Sequence, residues 1–362
     1  MELEVQKYLR AGKTPADLER EFFISATGGE PHGLVALNYH QFLTPMEMPL
    51  ARECRGLFLE PGTWNVASRS FAKFFNQGEP YAADLDWTTA RVTEKLDGTL
   101  ICIYHYRGEW RVGTRSRPDA GGNCHSHSFT FATLVRRTLD EIGTPWDRFV
   151  EALDPGRHYS FELVAPENRI VVPYAERGLV WLGCWDAATL RELSLWDLPD
   201  LPVPRVAQHP LRTAAEVRAA VEALHPFDGE GVVVSDAGFQ RLKVKSPRYA
   251  LVQRSMVHLQ TDRQRLEYLL SGQLDDLWPL LPEVYREQTR AVQARLEALV
   301  RDTLAEYERL RHIPAQREFA EAALPWCWSK ALFDLRKGKT MDEVLRASRV
   351  DTLARALGIG GE

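Results

Sequence analysis

The segment EKLDGTL, residues 94–100, places a lysine, an aspartate and a glycine immediately before the apolar run LICIY. A β-strand from Leu100 to Tyr106 accounts for the apolar residues and for a turn at Gly98, but it does not require Lys95. Such a short pattern is weak on its own, because most lysines at strand ends are solvated. Lys95 is therefore either an ordinary surface lysine or a nucleophile, and the rest of the sequence has to distinguish the two.

Charged residues that suit phosphate chemistry recur in several other segments. Glu162 lies in FELVAPENRIVVPY, and Glu230 precedes the valine run of DGEGVVV. Lys243 and Lys245 are two positions apart in RLKVKS, which predicts that both point to one face of a strand. The other candidates are Arg55 in ECRGLFLE, Lys73 and Phe75 in SFAKFFNQGE, Glu94 beside Lys95, and Arg115 in VGTRSR.

Together these residues predict nucleotidyl transfer. A lysine amine can attack the α-phosphate of a nucleoside triphosphate only when it is deprotonated, and the reference pKa of lysine is about 10.4. Nearby cations such as Lys243 and Lys245, with a divalent metal, would favour the free amine and neutralise the phosphate during in-line displacement. Glu230 offers the hard oxygen that Mg²⁺ prefers. Glu162 could accept a hydrogen bond from a ribose hydroxyl, and Phe75 could stack on a base or fill the core.

In this order, the segments resemble the motifs of the covalent nucleotidyltransferases: K-x-D-G, a basic residue twenty positions on, a strand glutamate, E-G-V-V-V and K-x-K. They resemble most closely those of the ATP-dependent single-strand RNA ligases of T-even phages, the RNA ligase 1 class. CRGLFLE, KFFNQGE, EKLDGTL, FELVAPENRIVVPY, DGEGVVV and LKVKSPRY all carry the resemblance. It implies a nucleotidyltransferase (ATP-grasp-like ligase) domain.

The resemblance also implies a role for each candidate. Lys95 would carry AMP covalently, in a turn shaped by Asp97 and Gly98. The other residues implied to hold ATP or its metal, Mg²⁺ or Mn²⁺, are Glu162 at the ribose, Glu230 at the metal, Lys243 and Lys245 at the α-phosphate, Arg55 and Lys73 at the pyrophosphate, and Phe75, Glu94 and Arg115 elsewhere in the nucleotide site. Arg115 departs from the family, which has a lysine there, and a planar fork contacts phosphate differently from a point charge.

Residues 1–254 are predicted to form an α+β domain of antiparallel sheets with flanking helices. KTPADLEREFF begins with Thr14 as N-cap and Pro15 at the first helical position. Helical segments near 129–142 and 213–224 interrupt a series of strand-like runs, in which we include RIVVPY at 169–174. That arrangement favours antiparallel sheets over a regular βαβ winding.

Residues 255–362 are predicted to form an all-helical domain that positions the RNA substrate. One helix follows Pro282, another follows Pro314, and a third begins in TMDEVLRASRVDTLARAL, where Thr340 and Glu343 make a capping box. The basic cluster of Arg336, Lys337 and Lys339 could grip RNA phosphate or could be a solvated helix end.

Composition sets limits on the function. The chain has 362 residues and a formal net charge of −5, so any polyanion site must be a local basic patch. Five scattered cysteines argue against a disulfide scaffold or structural zinc, and we interpret the NCHSHS segment as a polar loop. No signal peptide or membrane span is recognisable, which predicts a cytoplasmic protein, in the host cytoplasm if a phage encodes it. No G-x-x-x-x-G-K-[ST] loop is present, which excludes a P-loop kinase or ATPase.

The resemblance therefore implies an ATP-dependent ligase that joins 5′-phosphate and 3′-hydroxyl ends of single-stranded RNA or tRNA in RNA repair. It would act through lysyl-AMP and an RNA-adenylate, with a separate kinase or phosphatase to heal the ends. A DNA ligase or a capping guanylyltransferase is an alternative, but these carry an OB-fold barrel after the K-x-K strand, where this sequence is helical. A non-catalytic RNA-binding protein on a ligase fold is a further alternative, and the intact lysines and acidic residues argue against it.

Overall fold

The structure is a computed structural model that describes residues 1–29, 33–125, 127–257, 259–271 and 278–359. The chain divides into two compact units, Met1–Tyr249 and Ala250–Glu362. The first unit combines sheets and helices, which confirms the predicted α+β class. The boundary predicted after residue 254 falls inside a helix, Pro247–Val257.

Three sheets build the first unit. The N-terminal sheet has the order β1-β2-β3-β4 and contains β1 (Ile24–Gly29), β2 (Leu34–Tyr39), β3 (Leu57–Leu59) and β4 (Val66–Ser68). The middle sheet has the order β11-β10-β9-β7-β8 and contains β7 (Thr99–Tyr106), β8 (Glu109–Thr114), β9 (Arg157–Val164), β10 (Gly178–Asp186) and β11 (Glu192–Leu193). The lysine sheet has the order β12-β6-β13-β14-β5 and contains β5 (Phe75–Asn76), β6 (Arg91–Lys95), β12 (Gln208–His209), β13 (Gly231–Ser235) and β14 (Arg241–Lys245). All the pairings are antiparallel except that of β14 with β5.

The helices of this unit pack outside the sheets. They are α1 (Glu4–Arg10), α2 (Pro15–Phe22), α3 (Pro49–Glu53), α4 (Phe131–Glu141), α5 (Trp146–Glu151), α6 (Ala214–Ala223) and α7 (Pro247–Val257), which crosses the boundary. Thr14 caps α2 by accepting a hydrogen bond from the Asp17 backbone N–H, as predicted. The helices predicted near 129–142 and 213–224 are confirmed as α4 and α6.

The apolar run after Lys95 is buried on both faces of β7. Ile101 and Ile103 belong to the core formed with α4 and α5, whereas Cys102 and Tyr104 belong to a second core with the N-terminal sheet. A strand covered on both sides carries a continuous apolar run instead of an alternating one. The predicted strand at 100–106 is therefore confirmed, with Thr99 added at its start.

The lysine sheet has one apolar face and one charged face. Val92, Val232, Val234 and Leu242 pack with Val217 and Val221 of α6 in one core. Since successive side chains of a strand point to opposite faces, the residues between these valines face the other way. The lysines of β6 and β14 lie on that other face.

The strand predicted at 169–174 is wrong. In the structure this segment has bends but no strand. The backbone N–H groups of Val171 and Val172 donate to the carboxylate of Asp97, 2.8 Å away in each case, in place of a neighbouring strand. A short apolar run fits a buried turn as well as a strand, and only the position of Asp97 decides between them.

The second unit is helical throughout its described residues, which contain no strand and therefore no OB-fold barrel. Its helices are α8 (Asp262–Ser271), α9 (Glu283–Leu310), α10 (Gln316–Ala323), α11 (Ser329–Arg336), α12 (Met341–Arg346) and α13 (Val350–Ala356). The predicted helices after Pro282 and Pro314 are α9 and α10, and the capping box of Thr340 and Glu343 is present at α12. The single helix predicted from there is instead two, because the chain leaves helical geometry at Arg349 (ψ 141°).

Among the described residues, no helix combines the length and the apolarity that crossing a membrane requires.

Candidate active site

A cavity of about 620 Å³ lies in the first unit, against the charged face of the lysine sheet. Leu100, Glu162 and Leu182 of the middle sheet also line it. Of the site residues predicted from the sequence, the following line this cavity: Arg55, Lys73, Glu94, Lys95, Glu162, Lys243 and Lys245. Residues spread over almost two hundred positions of the sequence are thus brought to one place.

Strand register sets the position of Lys95. Lys95 is the last residue of β6 and lies opposite Gly231 of β13, which in turn lies opposite Lys245 of β14. Directly opposed residues of antiparallel strands point to the same face, so Lys95 and Lys245 project together. Lys243 lies two residues before Lys245 and therefore shares that face, as the sequence predicted.

A buried carboxylate connects the two lysines. Lys95 Nζ donates to Glu230 Oε2, and Lys245 Nζ donates to Glu230 Oε1 at 2.6 Å. The Glu230 side chain is only 5% exposed, whereas that of Lys95 is 21% exposed. Burial of a lone carboxylate would be costly, and two cations offset that cost here. Glu230 thus fixes the direction of the Lys95 side chain.

Asp97 acts on the turn that follows Lys95, and it does not line the cavity. Its side chain is buried; Oδ2 accepts hydrogen bonds from the backbone of Val171 and Val172, and Oδ1 accepts one from the hydroxyl of Tyr249. Its own backbone N–H donates to the Tyr174 hydroxyl at 3.1 Å. Asp97 is therefore a positioning residue that fixes the chain beside Lys95.

Gly98 lies where β7 meets β9. A Cβ atom at this position would be 2.4 Å from the carbonyl oxygen of Leu163 and 3.1 Å from Cγ of Glu162. Backbone cannot move away as a flexible side chain can. Gly98 is therefore required by the close approach of the two strands.

We expect Gly98→Ala to destabilise the protein by about 1–3 kcal/mol, the usual cost of overpacking. The substitution should also slow any reaction of the Lys95 amine, because the turn next to Lys95 must move to relieve the clash. Urea unfolding measures the first effect. Gly122→Ala is the matched control, since a Cβ there meets only Cδ of Arg117 at 3.5 Å. Equal stability of the two variants would contradict the strand contact.

The carboxyl of Glu162 reaches the cavity from β9. Burial raises the pKa of Glu162 to about 7, although the cations Lys95 and Arg55 act in the opposite direction. Near neutral pH this group can therefore accept or donate a hydrogen bond. Either state suits a contact with a sugar hydroxyl.

Lys243 lies in a concentration of positive charge. Burial, together with the neighbouring cations Lys73, Lys245 and Lys95, lowers the pKa of Lys243 to about 8. Its Nζ also lies 5.9 Å from the ring centroid of Phe74. Such a cluster of ammonium groups around one cavity suits a ligand with several negative charges.

Three of the residues predicted to hold the nucleotide or its metal do not line this cavity: Glu230, which contacts Lys95 and Lys245, and also Phe75 and Arg115. Phe75 is buried, and its ring packs beside Tyr81 at 5.8 Å between centroids. Arg115 lies behind the cavity wall, with its guanidinium 4.7 Å from the ring centroid of Tyr39, which does line it. The side chain of Tyr39 therefore separates Arg115 from a ligand in this cavity.

Sequence reasoning missed three tyrosines of this region. Tyr39 lines the cavity and its ring is in contact with Arg115 and Lys73, whereas Tyr174 and Tyr249 hold Asp97. Tyr249 follows the lysine pair in LKVKSPRY, but a single tyrosine carries no periodic signal. Its role becomes visible only when α7 brings it to Asp97.

The other two clusters noted in the sequence are occupied by local contacts. Arg336 donates to the carbonyl oxygens of Ile313 and Pro314, each at 2.9 Å, and Lys339 pairs with Asp334 at 3.2 Å. In the NCHSHS segment, His125 Nε2 lies 3.2 Å from the side-chain oxygen of Asn168. In the part of the chain that the structure describes, no three His, Cys, Asp or Glu side chains gather as a metal site.

Comparison with known proteins assigns this arrangement to a family. A family model described as RNA ligase matches residues 53–249, which include every residue of the Lys95 cluster. The chain belongs to this RNA ligase family. The match ends at Tyr249, the residue whose hydroxyl holds Asp97.

Several curated proteins whose names include RNA ligase resemble the chain. A putative bifunctional polynucleotide kinase/RNA ligase of Autographa californica nuclear polyhedrosis virus is 30% identical over 86% of this chain and 46% of its own length. An RNA ligase of Rhodothermus phage RM378 is 30% identical over 36% of each protein. A putative RNA ligase of Thermovibrio ammonificans is 24% identical over 86% of this chain and 81% of its own. The chain thus spans less than half of the first two relatives.

Among solved structures, an archaeal ATP-dependent RNA ligase aligns with 87% of this chain and 84% of its own, at 19% identity and a TM-score of 0.45. Naegleria gruberi RNA ligase aligns with 46% of this chain and 51% of its own, at 17% identity and a TM-score of 0.35.

Proposed function

We propose that this protein is an ATP-dependent RNA ligase that works through AMP bound covalently to Lys95. The observation that carries the proposal is that Glu230 pairs with both Lys95 and Lys245, and that these two lysines line one cavity with Lys243 and Glu162. A nucleophile, a group that orients it and fixed cations are the parts that phosphoryl-group chemistry requires. The RNA ligase names of the relatives support the choice of substrate.

In the first step, the free amine of Lys95 attacks the α-phosphorus of ATP. A P–N bond forms, and the bond from the α-phosphorus to the bridging oxygen breaks, which releases pyrophosphate. The amine must lose a proton before it attacks, and Glu230 Oε2 is the oxygen in contact to accept it. Lys243 and Lys245 stabilise the charge that develops on the α-phosphate, while Arg55 and Lys73 receive the pyrophosphate.

In the second step, an oxygen of the RNA 5′-phosphate attacks the same phosphorus, the P–N bond breaks, and the lysine regains a proton. The product is RNA-adenylate. In the third step, a 3′-hydroxyl oxygen attacks the 5′-phosphate of this RNA-adenylate and releases AMP. Lys243 and Lys245 stabilise the phosphate charge in each of these three displacements, because all three reactions take place in the same charged cavity.

The residues present fit a magnesium ion held mainly by substrate and water. Mg²⁺ usually takes one or two carboxylates together with substrate phosphates; Glu162 lines this cavity, and Glu230 contacts Lys95 at its wall. When bound, Mg²⁺ or Mn²⁺ would neutralise phosphate charge. In the structure both oxygens of Glu230 are bound by lysines, so Glu230 would have to give up one of them to a metal.

The direct test is incubation of the full chain with ATP labelled on the α-phosphate and Mg²⁺, followed by a denaturing gel. A labelled protein band that maps by peptide analysis to Lys95 supports the proposal. An unlabelled protein that nevertheless binds RNA would instead support a non-catalytic RNA-binding function.

Nucleotide affinity is expected to fall above about pH 8. ATP phosphates bind the charged form of Lys243, and with its pKa near 8 this side chain is charged below that pH and neutral above it. Affinity should fall by up to about tenfold per pH unit on the alkaline side. Titration of Lys95→Arg protein, which cannot react but keeps the positive charge near Lys243, from acid to alkaline pH measures the effect. Lys243→Arg stays charged and should remove this fall, and an unchanged profile in that variant would contradict the assignment.

The natural substrate we propose is single-stranded RNA or tRNA with 5′-phosphate and 3′-hydroxyl ends, joined in RNA repair in the cytoplasm. The name of the baculovirus relative pairs a polynucleotide kinase with an RNA ligase. That pairing supports end healing by a kinase beside the ligase reaction; that a kinase or phosphatase acts here as a separate protein is our proposal. We assign substrate positioning to the helical second unit; since Arg336 and Lys339 are held by local contacts, Lys337 is the member of that cluster best placed to meet phosphate.

A further inference from the structure

A second cavity of about 620 Å³ adjoins the ATP cavity in the first unit. The two share a wall made of Phe71, Lys73, Phe74, Glu192, Phe239 and Arg241. Lys95, Lys243 and Lys245 do not line the second cavity. Apart from Lys73, which receives the pyrophosphate, its residues therefore have no role in the steps at Lys95.

The second cavity is strongly basic. Arg52, Arg69, Lys73, Arg191 and Arg241 line it, and the single carboxylate among the residues that line it is Glu192. Arg241 forms a two-pronged ion pair with Glu192, so the remaining cations are in excess. The whole chain carries a net charge of −5, which makes this a local concentration of positive charge against the overall balance.

An exposed aromatic ring stands at this cavity. Tyr81 is 49% exposed, and its ring centroid lies 5.0 Å from the guanidinium of Arg52. Arg52 is itself fixed, because its Nε–H donates to the carbonyl oxygen of Met46 at 2.6 Å. The Tyr81 ring thus packs against a guanidinium whose position is fixed.

The backbone at two of the aromatic residues is strained. Tyr81 has φ 68° and Phe239 has φ 61°, in the left-handed region that bulky residues rarely adopt. Such a backbone conformation is kept only where the surrounding structure enforces it. Residues in these conformations cluster at active sites and ligand-binding sites. A half-exposed ring in a strained backbone and a basic cavity suits base stacking, which needs an aromatic face and a nearby cation.

We propose, building on the ligase function above, that this second cavity binds the first nucleotides of the RNA strand that carries the 5′-phosphate. A base stacks on Tyr81, and the backbone phosphates lie near Arg52 and Arg191. The local positive charge complements the polyanion, and the rings accept any base.

The geometry of in-line displacement selects this strand over the 3′-hydroxyl strand. Pyrophosphate leaves the α-phosphorus on the side opposite Lys95 Nζ, and the 5′-phosphate oxygen later attacks from that same side, where it displaces the lysine. The two therefore occupy one position in turn. Lys73, which we assign to the pyrophosphate, lines both cavities, so a strand whose 5′-phosphate sits there extends into the second cavity.

The experiment compares Tyr81→Ala with wild-type full-length protein in separate steps. We expect Lys95 adenylylation to stay within about twofold. The KM for a short 5′-phosphorylated oligoribonucleotide with a blocked 3′ end, measured by AMP transfer, should rise about 5- to 100-fold, as loss of one stacked base predicts. Tyr81→Phe keeps the ring and should behave as wild type. With a pre-adenylylated donor, the KM for the 3′-hydroxyl strand should be unchanged.

Phe23→Ala is the matched control, because Phe23 is 47% exposed, has φ 54° and lines neither cavity. An unchanged donor KM in Tyr81→Ala overturns the proposal, and so does a rise that Phe23→Ala reproduces or that falls on the 3′-hydroxyl strand instead. If wild-type protein forms no AMP adduct, the ligase function fails separately. Fluorescence anisotropy with the same oligonucleotide then still tests the cavity: equal affinity of wild type and Tyr81→Ala overturns it.

Discussion

Lys95→Ala protein is expected to form no covalent AMP adduct while it remains folded. The substitution removes the nitrogen that makes the P–N bond, so the loss should be complete. The stability cost should stay below about 2 kcal/mol, because the side chain ends a strand and Glu230 keeps its ion pair with Lys245. Labelled ATP, a denaturing gel and a thermal melt on the same preparation measure both results.

Lys95→Arg is the matched control for charge. Arginine can keep a cation opposite Glu230 but stays protonated and cannot act as the nucleophile. We expect it to be as inactive as Lys95→Ala and at least as stable. Label that persists in either variant, or that maps to a different lysine, would show that Lys95 is not the attachment site.

Lys243→Ala and Lys245→Ala are each expected to slow adenylylation by about a hundredfold or more, although neither residue attacks the phosphate. Fixed charges that face the reacting phosphorus cost no reorganisation during the reaction, and loss of one such group typically has an effect of this size. Lys245→Ala should show an additional defect, because Glu230 then has Lys95 alone as its cation. Single-turnover rates at saturating ATP separate the two effects from nucleotide binding.

Lys13→Ala is the control, since Lys13 is an exposed residue of the same unit that pairs with Glu21. It should adenylylate at the wild-type rate. If Lys243→Ala matched it, the charged face of the lysine sheet would lie outside the reaction.

The active-site cluster could be predicted from sequence where strand periodicity fixes the geometry. Lys243 and Lys245 share a face because they are two residues apart, and they adjoin Lys95 because their strands pair with β13 between them. The first relation follows from strand periodicity alone. The second was implied by the resemblance of the ordered motifs, and the strand pairing of the structure gives its physical reason.

Contacts made by turns and by single residues could not be predicted in the same way. The apolar run at 171–172 indicated a strand, but its N–H groups are bound by Asp97, a residue more than seventy positions earlier. Tyr249 meets Asp97 only because α7 begins directly after the lysine pair. Arg336 looked like a free cation, yet packing with Phe319 at 4.1 Å and two carbonyl oxygens occupy it. In each case tertiary packing decided what the side chain binds.

The three donors around Asp97 have a consequence for how the protein is made. Its carboxylate is satisfied by residues 74, 75 and 152 positions later in the chain. Contacts of such sequence separation form late, since a long loop must close first. During synthesis on the ribosome, the turn beside Lys95 therefore stays unfinished until Tyr249 has emerged from the exit tunnel. If the proposed reaction at Lys95 is right, nascent chains that lack Tyr249 should form no AMP adduct, because the last of the three donors to Asp97 is still missing.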